Sequence, residues 1–201
     1  MKKILKLMFI VTLGLSFLTA CTNNSEKLNV DSNEATANLE VGADMSLYEE
    51  FKAKENMFIK TTAEDVLSLI ENRKSAMVYF GFPDCPWCED MLPVLNEAAK
   101  NKDYPILYVE ARNEKGELNY SEEIKEKIYN EFDFTFETDE NGKKIMYFPY
   151  VVRIENGVVT DSHVGTVDGH NAHERELTEE EKIALRKTYE NMINVNVIKE
   201  E

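Results

Sequence analysis

The residue types and spacing that can do chemistry stand at Cys85-Pro86-Trp87-Cys88. Two cysteines separated by two residues bring the second sulfur within reach of the first, so a mixed disulfide formed at one is resolved by the other. The element that must position them is a helix start. Residues 76–82 form an apolar, β-branched and aromatic run that reads as a buried strand, with Gly81, Pro83 and Asp84 as its breakers. Residues 87–100 read as helix. The first turn of a helix has unpaired N–H groups and the positive end of the helix dipole. Both favour thiolate over thiol on Cys85, against a free pKa of ~8.5. Cys88 is then the more buried, resolving thiol. Two other readings exist. Half a zinc site needs two more ligands, and His163, His170 and His173 lie far off in the sequence. A structural disulfide closing so small a loop adds little stability. Trp87 offers a substrate an apolar platform or packs on the domain surface, and the two are compatible.

A chain of 201 residues, 43% of them hydrophobic, holds one core of ordinary size. A net charge of −15 disfavours nucleic acid and anionic lipid headgroups as partners and suits basic substrates. The cysteines are Cys21, Cys85 and Cys88. With Cys21 used elsewhere, the available disulfide is Cys85–Cys88, and a scaffold of structural bridges is excluded.

Residues 1–20 read as a lipoprotein signal peptide. Lys2, Lys3 and Lys6 supply its positive end, and residues 7–18 an apolar stretch short of the ~20 residues of a membrane span. Leu18-Thr19-Ala20-Cys21 resembles a bacterial lipobox. That resemblance implies lipidation of Cys21, cleavage before it, and stable anchoring of the chain at the extracytoplasmic face of the cell membrane. Residues 21–45, rich in Asn, Ser, Glu and Ala, read as a flexible tether reaching ~25–30 Å. The folded domain is expected over 46–201.

Ser46-Leu47-Tyr48-Glu49 fits a capping box, with Leu47, Tyr48 and Phe51 on one face, and predicts a short helix to about Asn56. Residues 57–60 read as a strand. Thr61 and Thr62 cap a helix to about Asn72 that buries Val66, Leu67, Leu69 and Ile70. With strand 76–82 these form a βαβ unit, which requires a right-handed crossover and parallel strands. Residues 105–110 are the third strand. In 121–130 an amphipathic helix turns Ile124 and Ile128 inward. Phe132, Phe134 and Phe136 then alternate with Asp133, Thr135 and Glu137 at strand period. Asp139-Glu140-Asn141-Gly142 signals a turn, which fits a hairpin or an extended lobe. Strands at 150–155 and 158–164 join through Asn156-Gly157. Thr178 and Glu181 cap a closing helix with Leu185, Tyr189 and Met192 inward.

From about residue 57 to 193 the chain resembles the thioredoxin superfamily. The resemblance rests on Cys85-X-X-Cys88 after a strand, Pro93 five residues beyond, Phe148-Pro149 opening a strand, the Asn-Gly hairpin and Val164-Gly165. It implies a thioredoxin-like three-layer α/β fold with a mixed central sheet, an N-terminal helical extension and an insertion at about 111–144. It implies a cis Pro149 facing the cysteines, with the Phe148 backbone free to pair with substrate. The chain departs from the family at Tyr79, where thioredoxins carry a buried carboxylate as proton acceptor. A tyrosine, with a pKa of ~10, is a poor base, so the direction of electron flow stays open. Asp84, Glu89 and Asp90 read as solvated charges opposing the Cys85 thiolate, and His170 and His173 as exposed loop residues.

The leader and Tyr147-Phe148-Pro149 also resemble the bacteriocin transport accessory proteins. The activity implied is that of a membrane-anchored thiol–disulfide oxidoreductase acting on protein or peptide disulfides. Cys85 and Cys88 would be catalytic; Trp87, Phe148 and Pro149 would contact substrate. No cofactor, metal or nucleic acid is implied, and a membrane redox partner is. The competing class is a non-catalytic accessory protein of the same fold that binds an exported peptide or secretion machinery.

Overall fold

The computed structural model describes residues 41–132 and 135–194. The leader, Cys21, nearly all of the tether, Asp133 and Phe134 lie outside the described residues. The elements are β1 (Phe58–Thr61), α1 (Ala63–Glu71), β2 (Ala76–Gly81), α2 (Pro86–Lys102), β3 (Ile106–Glu110), α3 (Glu122–Glu131), β4 (Glu137–Thr138), β5 (Lys144–Ile145), β6 (Tyr150–Glu155), β7 (Val158–Val164) and α4 (Glu179–Asn194).

Strand β2 is buried throughout, as a central strand covered on both faces must be. Its side chains alternate. Met77 and Tyr79 join a core with α2 and α4, while Val78 and Phe80 join a second core with α1 and α3. The sheet between these cores runs β1-β3-β2-β6-β7. Strands β1, β3 and β2 are parallel, and β6 and β7 are antiparallel to their neighbours. This is the three-layer, thioredoxin-like α/β arrangement. Thr62 and Asp65 form a capping box at α1. Thr178 and Glu181 do the same at α4. The β6–β7 turn places Asn156 at φ 50° and Gly157 at φ 76°, the positive values a two-residue hairpin requires. A Cβ on Gly157 would also strike the Ile70 carbonyl. No helix among the described residues is long and apolar enough to cross a membrane.

Two local expectations are corrected. Residues 46–56 form turns, not a helix. The Glu49 N–H goes to Glu89 and the Ser46 N–H to Asp44, so the capping pattern never closes. Met45, Tyr48 and Phe51 are buried there, and Leu47 is exposed. Nor does Phe132 open a strand. It closes α3 as its C-cap, because its ring is drawn into the second core against Phe80 and Tyr150. The strand that follows is only Glu137–Thr138, paired with Lys144–Ile145 in a small hairpin.

Candidate active site

Cys85 is the N-cap of α2, one residue ahead of the first turn where its sequence placed it, and Pro86 takes the first helical position. Proline suits that position because its missing N–H would have had no partner. The Cys85 Sγ accepts the Cys88 N–H at 3.3 Å, as a serine oxygen does at a helix cap. Both cysteines are free thiols. Cys85 is 5% exposed and Cys88 wholly buried. A hydrogen bond from the Cys88 thiol, helped by the backbone N–H groups of Cys88 and Trp87, brings the Cys85 pKa down, against burial and the Glu89 charge. Burial first, then the bond to Cys85 and the charge on it, push the Cys88 thiol well up. One sulfur is thus biased towards thiolate and the other towards thiol.

The Phe148–Pro149 peptide bond is cis. The Phe148 carbonyl oxygen lies 3.9 Å from the Cys85 sulfur, although 63 residues separate the two in sequence. The Pro149 carbonyl accepts the Gly165 N–H at 2.9 Å, which seats Val164-Gly165 behind the proline. The Phe148 ring meets Phe82 edge-on at 5.6 Å, and the Arg112 guanidinium lies 5.7 Å from both rings.

The loop after β7 closes the other side. His173 is exposed but stands edge-on to Trp87 at 4.8 Å. His170 corrects the reading of an exposed residue. It is 8% exposed, with Nε2 2.7 Å from Asp90 Oδ2, and so fastens the loop to α2. Asp90 and Glu89 are not solvated charges either. Burial raises both carboxyl pKa values. Glu89 accepts the N–H groups of Glu49 at 2.9 Å and Glu50 at 3.0 Å. Of the three flanking acids, only Asp84 is exposed.

Tyr79 is wholly buried in the same core as Cys88. The Tyr79 hydroxyl is 3.2 Å from that of Tyr48, which is 3.0 Å from that of Tyr108. Tyr79 and Tyr108 are register partners on β2 and β3, with rings stacked at 5.3 Å. The sequence singled out Tyr79 for what it replaces and not for these partners. Parallel pairing of β2 with β3 is the signal that could have found Tyr108; no spacing links Tyr48 to either. Among the described residues, no group of three or more His, Cys, Asp or Glu side chains is placed to hold a metal ion.

No family model matches the chain, and no curated protein is similar enough to match it. Among solved structures it is similar to thioredoxin from Aeropyrum pernix, at 21% identity over 52% of this chain and 73% of that one, with a TM-score of 0.35. It is also similar to the oxidised form of mitochondrial thioredoxin 3 from Saccharomyces cerevisiae, at 14% identity over 66% of this chain and 92% of that one, with a TM-score of 0.37. At these identities the chemistry of the site has to come from its own residues.

Proposed function

We propose that the chain is a thiol–disulfide oxidoreductase acting on protein or peptide disulfides through Cys85 and Cys88. The observation that carries this is the asymmetry of one hydrogen-bonded pair: a helix-capping sulfur biased to thiolate, backed by a buried sulfur biased to thiol. In the reducing direction the Cys85 thiolate attacks a substrate disulfide. A Cys85–substrate mixed disulfide forms and the first substrate thiolate leaves. Cys88 then attacks the Cys85 sulfur, the Cys85–Cys88 bond forms, and the second substrate thiolate leaves. Two electrons pass from the pair to the substrate. Reversed, the same steps oxidise a dithiol. Trp87, Phe148 and Pro149 border the sulfurs and receive an extended substrate segment. A membrane thiol–disulfide partner resets the pair. A lipid on Cys21 holds the domain at the extracytoplasmic face, where an exported peptide is the substrate class that the leader and Tyr147-Phe148-Pro149 favour.

Insulin-disulfide reduction tests the reading. Wild type accelerates it, and Cys85→Ser falls to the uncatalysed rate. Cys88→Ser traps a mixed disulfide through Cys85. No acceleration by wild type would leave the non-catalytic binding role. Cys21→Ser tests the anchor separately: lipid labelling is lost, and normal maturation of that variant would remove the anchor from the proposal.

A further inference from the structure

We infer that His170 is a positioning residue of this site: bound to Asp90, it clamps the loop after β7 onto α2, so that His173 holds the Trp87 ring as a platform for an apolar side chain beside the substrate disulfide. The inference rests on the oxidoreductase reading above.

The clamp is a match of two spacings. Trp87 and Asp90 are three residues apart on α2 and so share one face of it. His170 and His173 are three residues apart in the loop. His170 Nε2 is 2.7 Å from Asp90 Oδ2, and the His173 and Trp87 rings meet edge-on with centroids 4.8 Å apart. Asn171 folds the residues between into a tight turn. Its carbonyl accepts the N–H groups of Glu174 at 3.0 Å and Arg175 at 3.2 Å, and its side-chain oxygen accepts that of His173 at 3.1 Å. What holds His170 therefore holds His173.

Both ends of the turn are fixed. The His170 side chain is fully buried, and its Nδ1 has no hydrogen-bond partner among the described residues. The bond to Asp90 is thus the one that fixes the ring. At the far end Arg175 meets Glu181, in the first turn of α4, through two hydrogen bonds of 2.6 and 2.7 Å. His173 is exposed, so its place on Trp87 comes from the turn and not from its own burial.

Trp87 stands between the two cysteines, half-buried and packed against the core that contains them. An indole free to turn loses that freedom when a substrate covers it, and each side chain immobilised on binding weakens the binding. A T-shaped ring contact orients the indole beforehand. The gain falls to substrates that cover the indole, which are peptide disulfides with an aromatic residue next to a cysteine.

Trp87 is the only tryptophan of the chain, so its fluorescence reads the clamp directly. Two cyclic peptide disulfides, alike but for Phe or Ala beside one cysteine, are reduced by the pre-reduced full chain. Its dithiol supplies the two electrons, and the second-order rate constants are compared. Wild type is expected to prefer the Phe peptide. In His170→Ala that preference shrinks by about two- to tenfold, the worth of one pre-ordered side chain, and acrylamide quenches Trp87 more strongly. His170→Gln, whose amide nitrogen replaces Nε2 as the donor to Asp90, restores part of both. A ratio is read, so a general loss of rate cancels. His173→Ala, at an exposed position, removes only the contact with Trp87 and loses the preference too, which keeps the test decisive whatever His170→Ala does to folding. A wild-type preference in either alanine variant, no preference in wild type, or a lost preference with wild-type quenching would overturn the inference and leave the oxidoreductase reading standing. Failure of wild type to reduce either peptide would overturn both.

Discussion

Two regions flank the sheet and its helices, and they are held in opposite ways. Residues 41–56 contain neither helix nor strand. Yet Met45, Tyr48 and Phe51 are 4%, 2% and 8% exposed, and three polar groups of this segment reach across to the sheet and α2: the Tyr48 hydroxyl to Tyr79 and Tyr108, and two N–H groups to Glu89. The β4–β5 hairpin has a regular ladder, but both residues of β4 are exposed, and its turn is satisfied by its own Asp139. Regular structure therefore does not integrate a segment with a site. Buried side chains and long-range hydrogen bonds do.

Tyr48→Ala puts the most strain on that contrast. It opens a cavity beneath α2 and strands the hydroxyls of Tyr79 and Tyr108. Truncating a buried aromatic to alanine costs about 3–5 kcal/mol, and a loss of that size is expected in the urea midpoint of the reduced protein. A loss below about 1 kcal/mol, the range of ordinary surface changes, would put the segment on the same footing as the hairpin.

Glu89→Ala sharpens the contrast with two opposed readouts. It removes the acceptors for Glu49 and Glu50, whose N–H groups are near enough to solvent for water to replace part of what is lost. Stability should fall by about 1 kcal/mol. The Glu89 charge also works against the Cys85 thiolate. Without it the thiolate forms at lower pH, so alkylation of Cys85 by iodoacetamide should rise through a lower midpoint than in wild type. Stability and reactivity moving together would show that Glu89 acts on the cysteine through the fold instead of its charge.

Much of the fold was legible because its signals are local. The apolar run of β2, the caps at Thr62 and Thr178, and the Asn156-Gly157 turn all depend on neighbours in sequence. The cysteine pair was legible for the same reason. What stayed hidden was decided at long range. Ser46 to Glu49 is a capping box by its residue types, but a carboxylate 40 residues away takes the Glu49 N–H. His170 has no local mark of burial; it is held by Asp90, 80 residues earlier. Phe132 fits an alternating pattern in the sequence, and packing against Tyr150 ends a helix there instead.

The smallest effect belongs to the hairpin. Asp139 Oδ1 accepts the N–H groups of Asn141 at 2.9 Å and Lys143 at 2.8 Å. Asp139→Ala removes both bonds. The backbone bonds of the turn, Gly142 N–H to Asp139 and Asp139 N–H to Lys143, need no side chain and remain. Residues 140–143 are exposed, so water takes over the freed N–H groups and the cost is about 0.5–1 kcal/mol. It should appear as faster amide exchange at Asn141 and Lys143, because a small, solvent-covered unit opens on its own. Cys85 alkylation should keep its wild-type rate, since β4 and β5 pair with each other and not with the five-stranded sheet. One route could carry a disturbance further: a cleft of about 280 Å³ in which Ile145 and Met146 meet Arg112 and Phe148. If Asp139→Ala changed Cys85 alkylation as much as Glu89→Ala does, that cleft would be a coupling path, and the hairpin would belong with the N-terminal segment among the parts tied to the cysteine pair.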